Sequence, residues 1–362
     1  MKQQLPSLNG LRAISIFLVL YAHGYLSVAV FLQSIISKIS PDLALRLFPN
    51  INELDIPGGQ IGVNIFFVIS GYLITLLLIH EEKAKGFVSL KLFYIRRTIR
   101  IFPVYYLLLI IYFIFQLIGW FDFTTDSWIR SISYSKDFPI SGGSDWETGH
   151  LWSLSVEEHF YLLWPFLFKY LKNQKIPFAF LIIIAVTIVR FTSDLSHFHL
   201  FTRADALMWG CIFAIYNDSL INFLKSIYNR NHLLLVFPFV LLLVVLAGKK
   251  ILSFIGLHDL EHFNIAFLGS YGLLADICIG FIILISVNFT GNLWFRFLNT
   301  PFLNYVGKLS YSIYLWQQIF FSNKVGNLKT FPLNIISIII VANISFYMVE
   351  KPLLKLRTKF KA

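Results

Sequence analysis

Arginine and histidine are costly inside an apolar stretch, and the segment LNGLRAISIFLVLYAHGY holds one of each, Arg12 and His23. Eleven positions apart on a helix, they share one face and lie about 16 Å from each other along it. Imidazole is the side chain best suited to take a proton from a hydroxyl near neutral pH. A guanidinium on the same stripe offers a grip for an anion. A snorkelling arginine and a histidine used for helix packing are the structural alternative.

Three further clusters raise the same question. In FYIRRTIRIFPVYY, Arg96, Arg97 and Arg100 precede Pro103. Guanidiniums one turn apart can hold phosphate oxygens bidentately, although basic residues at a helix mouth also simply mark the cytoplasmic side. HLWSLSVEEHFYLLWPF gathers His150, Ser153, Ser155, Glu157, Glu158 and His159 at the edge of an apolar run. His150 and Glu157 fall on one helical face while Glu158 points elsewhere. Two adjacent carboxylates entering lipid need a proton, a cation or an arginine partner. RADALMWG adds Arg203 and Asp205, which can neutralise each other. Asp276, and Lys308 with Tyr311 and Tyr314 in GKLSYSIYLWQQ, are other polar groups inside apolar runs.

Metal chemistry is not expected. His258 and His262 are four apart and His197 and His199 flank Phe198, but all four lie in connections or at borders. No H-E-x-x-H, phosphate-binding loop or dinucleotide fingerprint occurs. Cys211 and Cys278 sit within apolar runs and read as buried structural thiols.

The elements that position these groups must be membrane helices. Of the 362 residues 57% are hydrophobic and 14% charged, and mean hydropathy is +0.70, whereas a soluble domain carries about a quarter charged residues. The net charge of +11 is not a nucleic-acid signature, because no basic tract alternates with stacking aromatics. Lys2 ahead of an apolar stretch resembles a signal peptide, yet Arg12 and His23 interrupt it and no small-residue cleavage site follows, so a retained first helix is expected. Apolar runs near 9–31, 62–80, 101–120, 151–170, 177–193, 204–217, 233–248, 267–289, 302–322 and 331–349 predict an all-α, polytopic transmembrane bundle of about ten helices. Residues 1–362 read as one membrane-embedded domain without an internal repeat. Alternate connections carry 19 basic residues on one side and 10 on the other, which predicts cytoplasmic termini and a multi-pass protein of the cell inner (plasma) membrane.

On this topology the charges form two layers. Arg12, Arg96, Arg97 and Arg100 make a cationic cytoplasmic layer, and His23, Glu157, Glu158, Arg203 and Asp205 make an outer one. A cytosolic anionic donor with a long reactive arm suits that arrangement. Coenzyme A has both properties: phosphates for the arginines and a pantetheine arm to reach upward.

The motifs LNGLRAISIFLVLYAHG (8–24), GVNIFFVISGYLIT (62–75), RRTIRIFPVYY (96–106), HLWSLSVEEHFYLLWP (150–165), RADALMWG (203–210) and GKLSYSIYLW (307–316) together resemble the acyltransferase-3 family of integral membrane acyltransferases. The resemblance implies O-acyl transfer, commonly of acetyl from acetyl-CoA, to a hydroxyl of a cell-surface glycan or glycolipid. It implies that His23 is catalytic and that Arg96, Arg97 and Arg100 help hold the donor. In the reading adopted here His23 is the base, oriented by Glu158 or else Asp205, with Glu157 nearby. Arg12 joins the donor-binding arginines, and His150, Ser153, Arg203 and Tyr311 contact substrate. An acyl-enzyme on Ser153, Ser155 or a tyrosine stays open. The chain departs from the resemblance in having Gln317 where many members have histidine after YLW, and no fused extracellular hydrolase-like domain of the kind some members carry is expected. The expected partners are the lipid bilayer, acyl-CoA and the glycan acceptor. As acceptor, lipopolysaccharide, exopolysaccharide, peptidoglycan and a secreted small molecule all fit. A proton-coupled transporter is the rival reading, and a non-catalytic lipid or CoA sensor a third.

Overall fold

The computed structural model describes residues 5–42, 58–138, 145–193, 199–254 and 272–357. His197, His258 and His262 lie outside the described residues. The described regular structure is helical throughout. It comprises α1 (Leu8–Ile39), α2 (Gly58–Lys85), α3 (Leu90–Leu117), α4 (Thr125–Ile132), α5 (Leu151–Tyr170), α6 (Lys175–Thr192), α7 (Leu200–Ile215), α8 (Asn217–Arg230), α9 (Phe237–Phe254), α10 (Leu273–Asn288), α11 (Pro301–Phe321), α12 (Leu333–Ser345) and α13 (Lys351–Arg357), with shorter helical turns between them.

Every apolar run expected to span overlaps one of these helices. By length and composition, α1, α2, α3, α6 and the rod from α12 into α13 can each cross a bilayer, and α7 with α8, bent by 77° between them, makes a sixth candidate. The helix carrying Asp276, α10, is shorter. The lipid-directed faces are plain in the sequence pattern. On α6, Leu181, Ile184, Ile188 and Phe191 are exposed, while Ala179, Ile183, Val186 and Arg190 on the opposite stripe are buried. An exposed apolar stripe beside a buried one is what a helix between lipid and protein requires.

The helices at the centre approach one another closely. α2 packs along both α1 and α7, and α1 also packs along α11. A Cβ at Gly71 or Gly210 would strike backbone of the facing helix, at Leu207 O and Val68 O respectively. One at Gly307 would strike Asn9 O. Small residues at such crossings let backbones touch where lipid offers no hydrophobic drive for association. These motif glycines therefore build the scaffold rather than the chemistry. α11, which carries most of the polar side chains of its run, is buried along most of its length, as polar groups at membrane depth must be.

Candidate active site

α3 delivers the cationic wall of the central cavity. Ser89 caps its N-terminus, accepting from Leu92 N, and Arg97 and Arg100, three apart, share one face. Together with Arg12 of α1 they line a cavity of about 90 Å³ whose other walls include Phe66, Phe67, Ser70, Ser153, Glu157, Tyr161, Tyr311 and Tyr314. Among the described residues no carboxylate lies within ion-pair distance of Arg12, Arg97 or Arg100. Arg97 instead stacks its guanidinium over the Tyr161 ring at 3.8 Å, and its Nε is buried without a partner. Such a site favours an anion.

Arg96 departs from the expected trio. Its guanidinium turns to Glu81 at 3.1 Å and does not line the cavity. The reason is helical geometry: consecutive side chains diverge by about 100°.

Glu157 also changes place. Rather than joining His23 in an outer layer, it lines the arginine cavity, where its Oε1 accepts from Ser70 Oγ at 2.7 Å and Ser70 Oγ accepts in turn from Tyr161 OH at 3.0 Å. Glu158, on the next face, has a buried and unpartnered Oε1. A further carboxylate, outside the apolar runs, stands near the cations. Glu350 is buried at the end of a single π-helical turn, Phe346–Glu350, accepts from Ser312 Oγ at 2.9 Å and interacts with Arg100. It falls one residue past the expected last span, so only continuation of that helix into α13 reveals it.

The far wall of the cavity is a pair of hydroxyls. Ser153 Oγ and Tyr314 OH hydrogen-bond to each other, and Tyr314 OH donates to the His150 carbonyl at 2.9 Å. Tyr311 lines the cavity too and donates to Ile101 O at 2.8 Å. Ser155 lies apart, bonded to Leu151 O of its own helix. The His150 ring sits behind Tyr314, with Nε2 against Leu315 O at 3.2 Å, close enough to His23 for the two imidazoles to interact electrostatically.

His23 is turned into the protein but does not line the cavity. Its Nδ1 faces Gln317 Oε1 at 3.4 Å, and the rings of Trp146 and Phe321 pack on it with centroids at 6.0 and 6.3 Å. The expectation of a carboxylate orienter, Glu158 or Asp205, gives way here to a neutral amide. An Nδ1–H donating to this amide oxygen would leave Nε2 to accept a proton. The only hint of this partner in the sequence was the departure at Gln317 itself.

Asp205 is committed elsewhere. It pairs not with Arg203 but with Arg190 of α6, at 2.6 Å and fully buried, and interacts with Asp276, whose Oδ1 accepts from Asn64 Nδ2 at 2.6 Å. Arg203, also fully buried, lies over the Phe67 and Trp152 rings and donates to Gln60 O at 3.3 Å. Because Phe67 lines the cavity, Arg203 stands behind its wall rather than within it. By sequence Arg190 falls in a connection, and since its partner comes from another helix no local pattern marks the pair.

Comparison with known proteins fits this architecture. The chain is similar to the peptidoglycan O-acetyltransferase OatA of Listeria monocytogenes, 28% identical over 98% of the chain and 56% of that protein. It is likewise similar to the O-acetyltransferase OatA of Staphylococcus aureus, 28% identical over 97% of the chain and 57% of that protein. The chain thus spans about half the length of these curated relatives. No solved structure matches it. With several membrane-capable helices, it is a multi-pass membrane protein. Residues 5–349 match the family described as an acyltransferase domain, and the chain belongs to this acyltransferase-3 family.

Proposed function

We propose that this protein is a membrane O-acetyltransferase that moves an acetyl group from acetyl-CoA to a hydroxyl of a cell-envelope glycan. The observation carrying the reading is the cavity with three guanidiniums at one wall, which no carboxylate among the described residues ion-pairs, and the Ser153–Tyr314 hydroxyl pair at another. The cationic wall fits the phosphates of a CoA thioester, with Arg12, Arg97 and Arg100 as the holding residues. The glycan acceptor is inferred from the relatives, one of which is named for peptidoglycan.

In the proposed step His23 Nε2 takes the proton of the acceptor hydroxyl while its oxygen forms a bond to the thioester carbonyl carbon. Collapse of the tetrahedral intermediate breaks the carbon–sulfur bond, and the departing thiolate receives the proton from the imidazolium. The products are the acetyl ester and CoA thiol. Gln317 holds the imidazole in the required tautomer. Ser153, whose hydroxyl hydrogen can turn from Tyr314 toward the substrate, supplies a donor to the developing oxyanion. Glu157, fixed by Ser70, offsets part of the cationic charge at the donor site. Ten membrane crossings with both termini in the cytoplasm would give the arginines access to cytosolic donor.

Turnover of labelled acetyl-CoA in vesicles holding the full chain tests the assignment. His23→Ala is expected to lower acetyl transfer by at least about 100-fold, the scale of general-base contributions. Undiminished transfer by that variant eliminates His23 as the base.

A further inference from the structure

Beside His23 lies a set of groups that the donor cavity does not use. Trp146 presents half of its surface to the outside while its ring stands nearly perpendicular to the imidazole, at 88°. The backbone beneath it is held from several sides. Gln318 Nε2 donates to Trp146 O at 3.0 Å, Tyr112 OH donates to Glu147 O at 2.7 Å, and Ser322 Oγ donates to Glu147 Oε1 at 2.6 Å. Lys136 Nζ donates to Thr148 Oγ1 at 2.9 Å in the same turn. An exposed aromatic so rigidly mounted loses little entropy on binding.

Two buried polar atoms nearby are unsatisfied. Gln317 is fully buried, with Oε1 on His23 and Nε2 without a partner, and Gln318, 2% exposed, has an unpartnered Oε1. Buried polar groups left without a hydrogen bond are costly, so a donor and an acceptor left open on neighbouring residues, one of them facing the imidazole, point to a ligand bearing hydroxyls. An apolar ring face next to such a pair matches a pyranose, which has an apolar C–H face and a polar hydroxyl rim.

We propose that Trp146, Gln317 and Gln318 form the acceptor subsite, in which a pyranose ring stacks on Trp146, one of its hydroxyls meets His23 Nε2 and another accepts from the free Gln317 amide. This rests on the acyl-transfer reading above and adds the residues that select a sugar. Gln317 thereby acts on both sides, accepting from the base and donating to the acceptor.

The test uses the full chain in lipid nanodiscs with labelled acetyl-CoA and chitotetraose, a soluble amino-sugar oligomer, against glycerol as an acyclic alcohol. Chitotetraose is expected to stimulate acetyl-CoA consumption more than glycerol. Trp146→Ala should raise the KM for chitotetraose about tenfold, Trp146→Phe should restore it to within about threefold because stacking survives, and the KM for acetyl-CoA should move less than about twofold in both. No stimulation by the sugar, or an unchanged chitotetraose KM with only a lowered melting temperature, overturns the subsite and leaves Trp146 as an interfacial anchor. Failure of the wild type to consume acetyl-CoA with any acceptor sinks the acyl-transfer reading instead.

Discussion

A histidine held by an amide differs from one held by a carboxylate. Gln317 sets its amide oxygen 3.4 Å from His23 Nδ1 but brings no negative charge to stabilise an imidazolium. Such a base works best when the proton stays on it briefly, as it does between attack on the thioester and departure of the thiolate. The arginines divide in an equally local way. Arg97 and Arg100 line the cavity and Arg96 is tied to Glu81. Steady-state kinetics on single variants should follow this division. Arg97→Ala and Arg100→Ala are each expected to raise the acetyl-CoA KM by about tenfold or more, the loss of one charge-assisted contact, whereas Arg96→Ala should stay within about twofold. Equal effects from all three would mean that the arginines act as an undivided surface charge.

At the scale of elements, the close crossing of α2 and α7 brings the cavity wall of α2 to its place. Ser70, Phe66 and Phe67 on α2 line the cavity, and Gly71 immediately beyond them touches the backbone of α7. Gly71→Val adds a branched side chain to a crossing with no room for a methyl group. It is expected to destabilise the fold by about 1–3 kcal/mol, read as a lower melting temperature in detergent, and to displace Ser70 from Glu157. An unchanged melting temperature would show that the two helices can separate freely. The buried Arg190–Asp205 pair ties α6 to α7 and supports the same wall from behind. Most of the charge expected at an active site near α7 is thus structural.

For the whole molecule, the uneven spread of basic residues among connections, 19 against 10, predicts an orientation. Cys211 and Cys278 are both buried, so the background for thiol labelling is low. In sealed right-side-out vesicles, Asp122→Cys should react with a membrane-impermeant maleimide and Lys83→Cys only after permeabilisation. The reverse pattern would put the arginine wall on the side away from cytosolic CoA, and the proposed donor route would fail.

What the sequence determined by itself was the class of molecule and most of the charged side chains that stand at membrane depth. The energetic cost of charge in lipid made Arg12, His23, Arg97, Arg100 and Glu157 conspicuous in apolar runs, and apolar length marked the helices. Partnership was another matter. His23 and Gln317 are 294 residues apart, Arg190 and Asp205 belong to different helices, and Glu350 reaches Ser312 only through a π-helical turn. Within one helix, periodicity fixes which residues share a face. Between helices, facing and register are set by how side chains and close-packed glycines fit across each crossing, and no local pattern encodes them. Tertiary structure alone therefore decided that Glu157 stands among the arginines, that Arg96 does not, and that an amide rather than a carboxylate orients the imidazole.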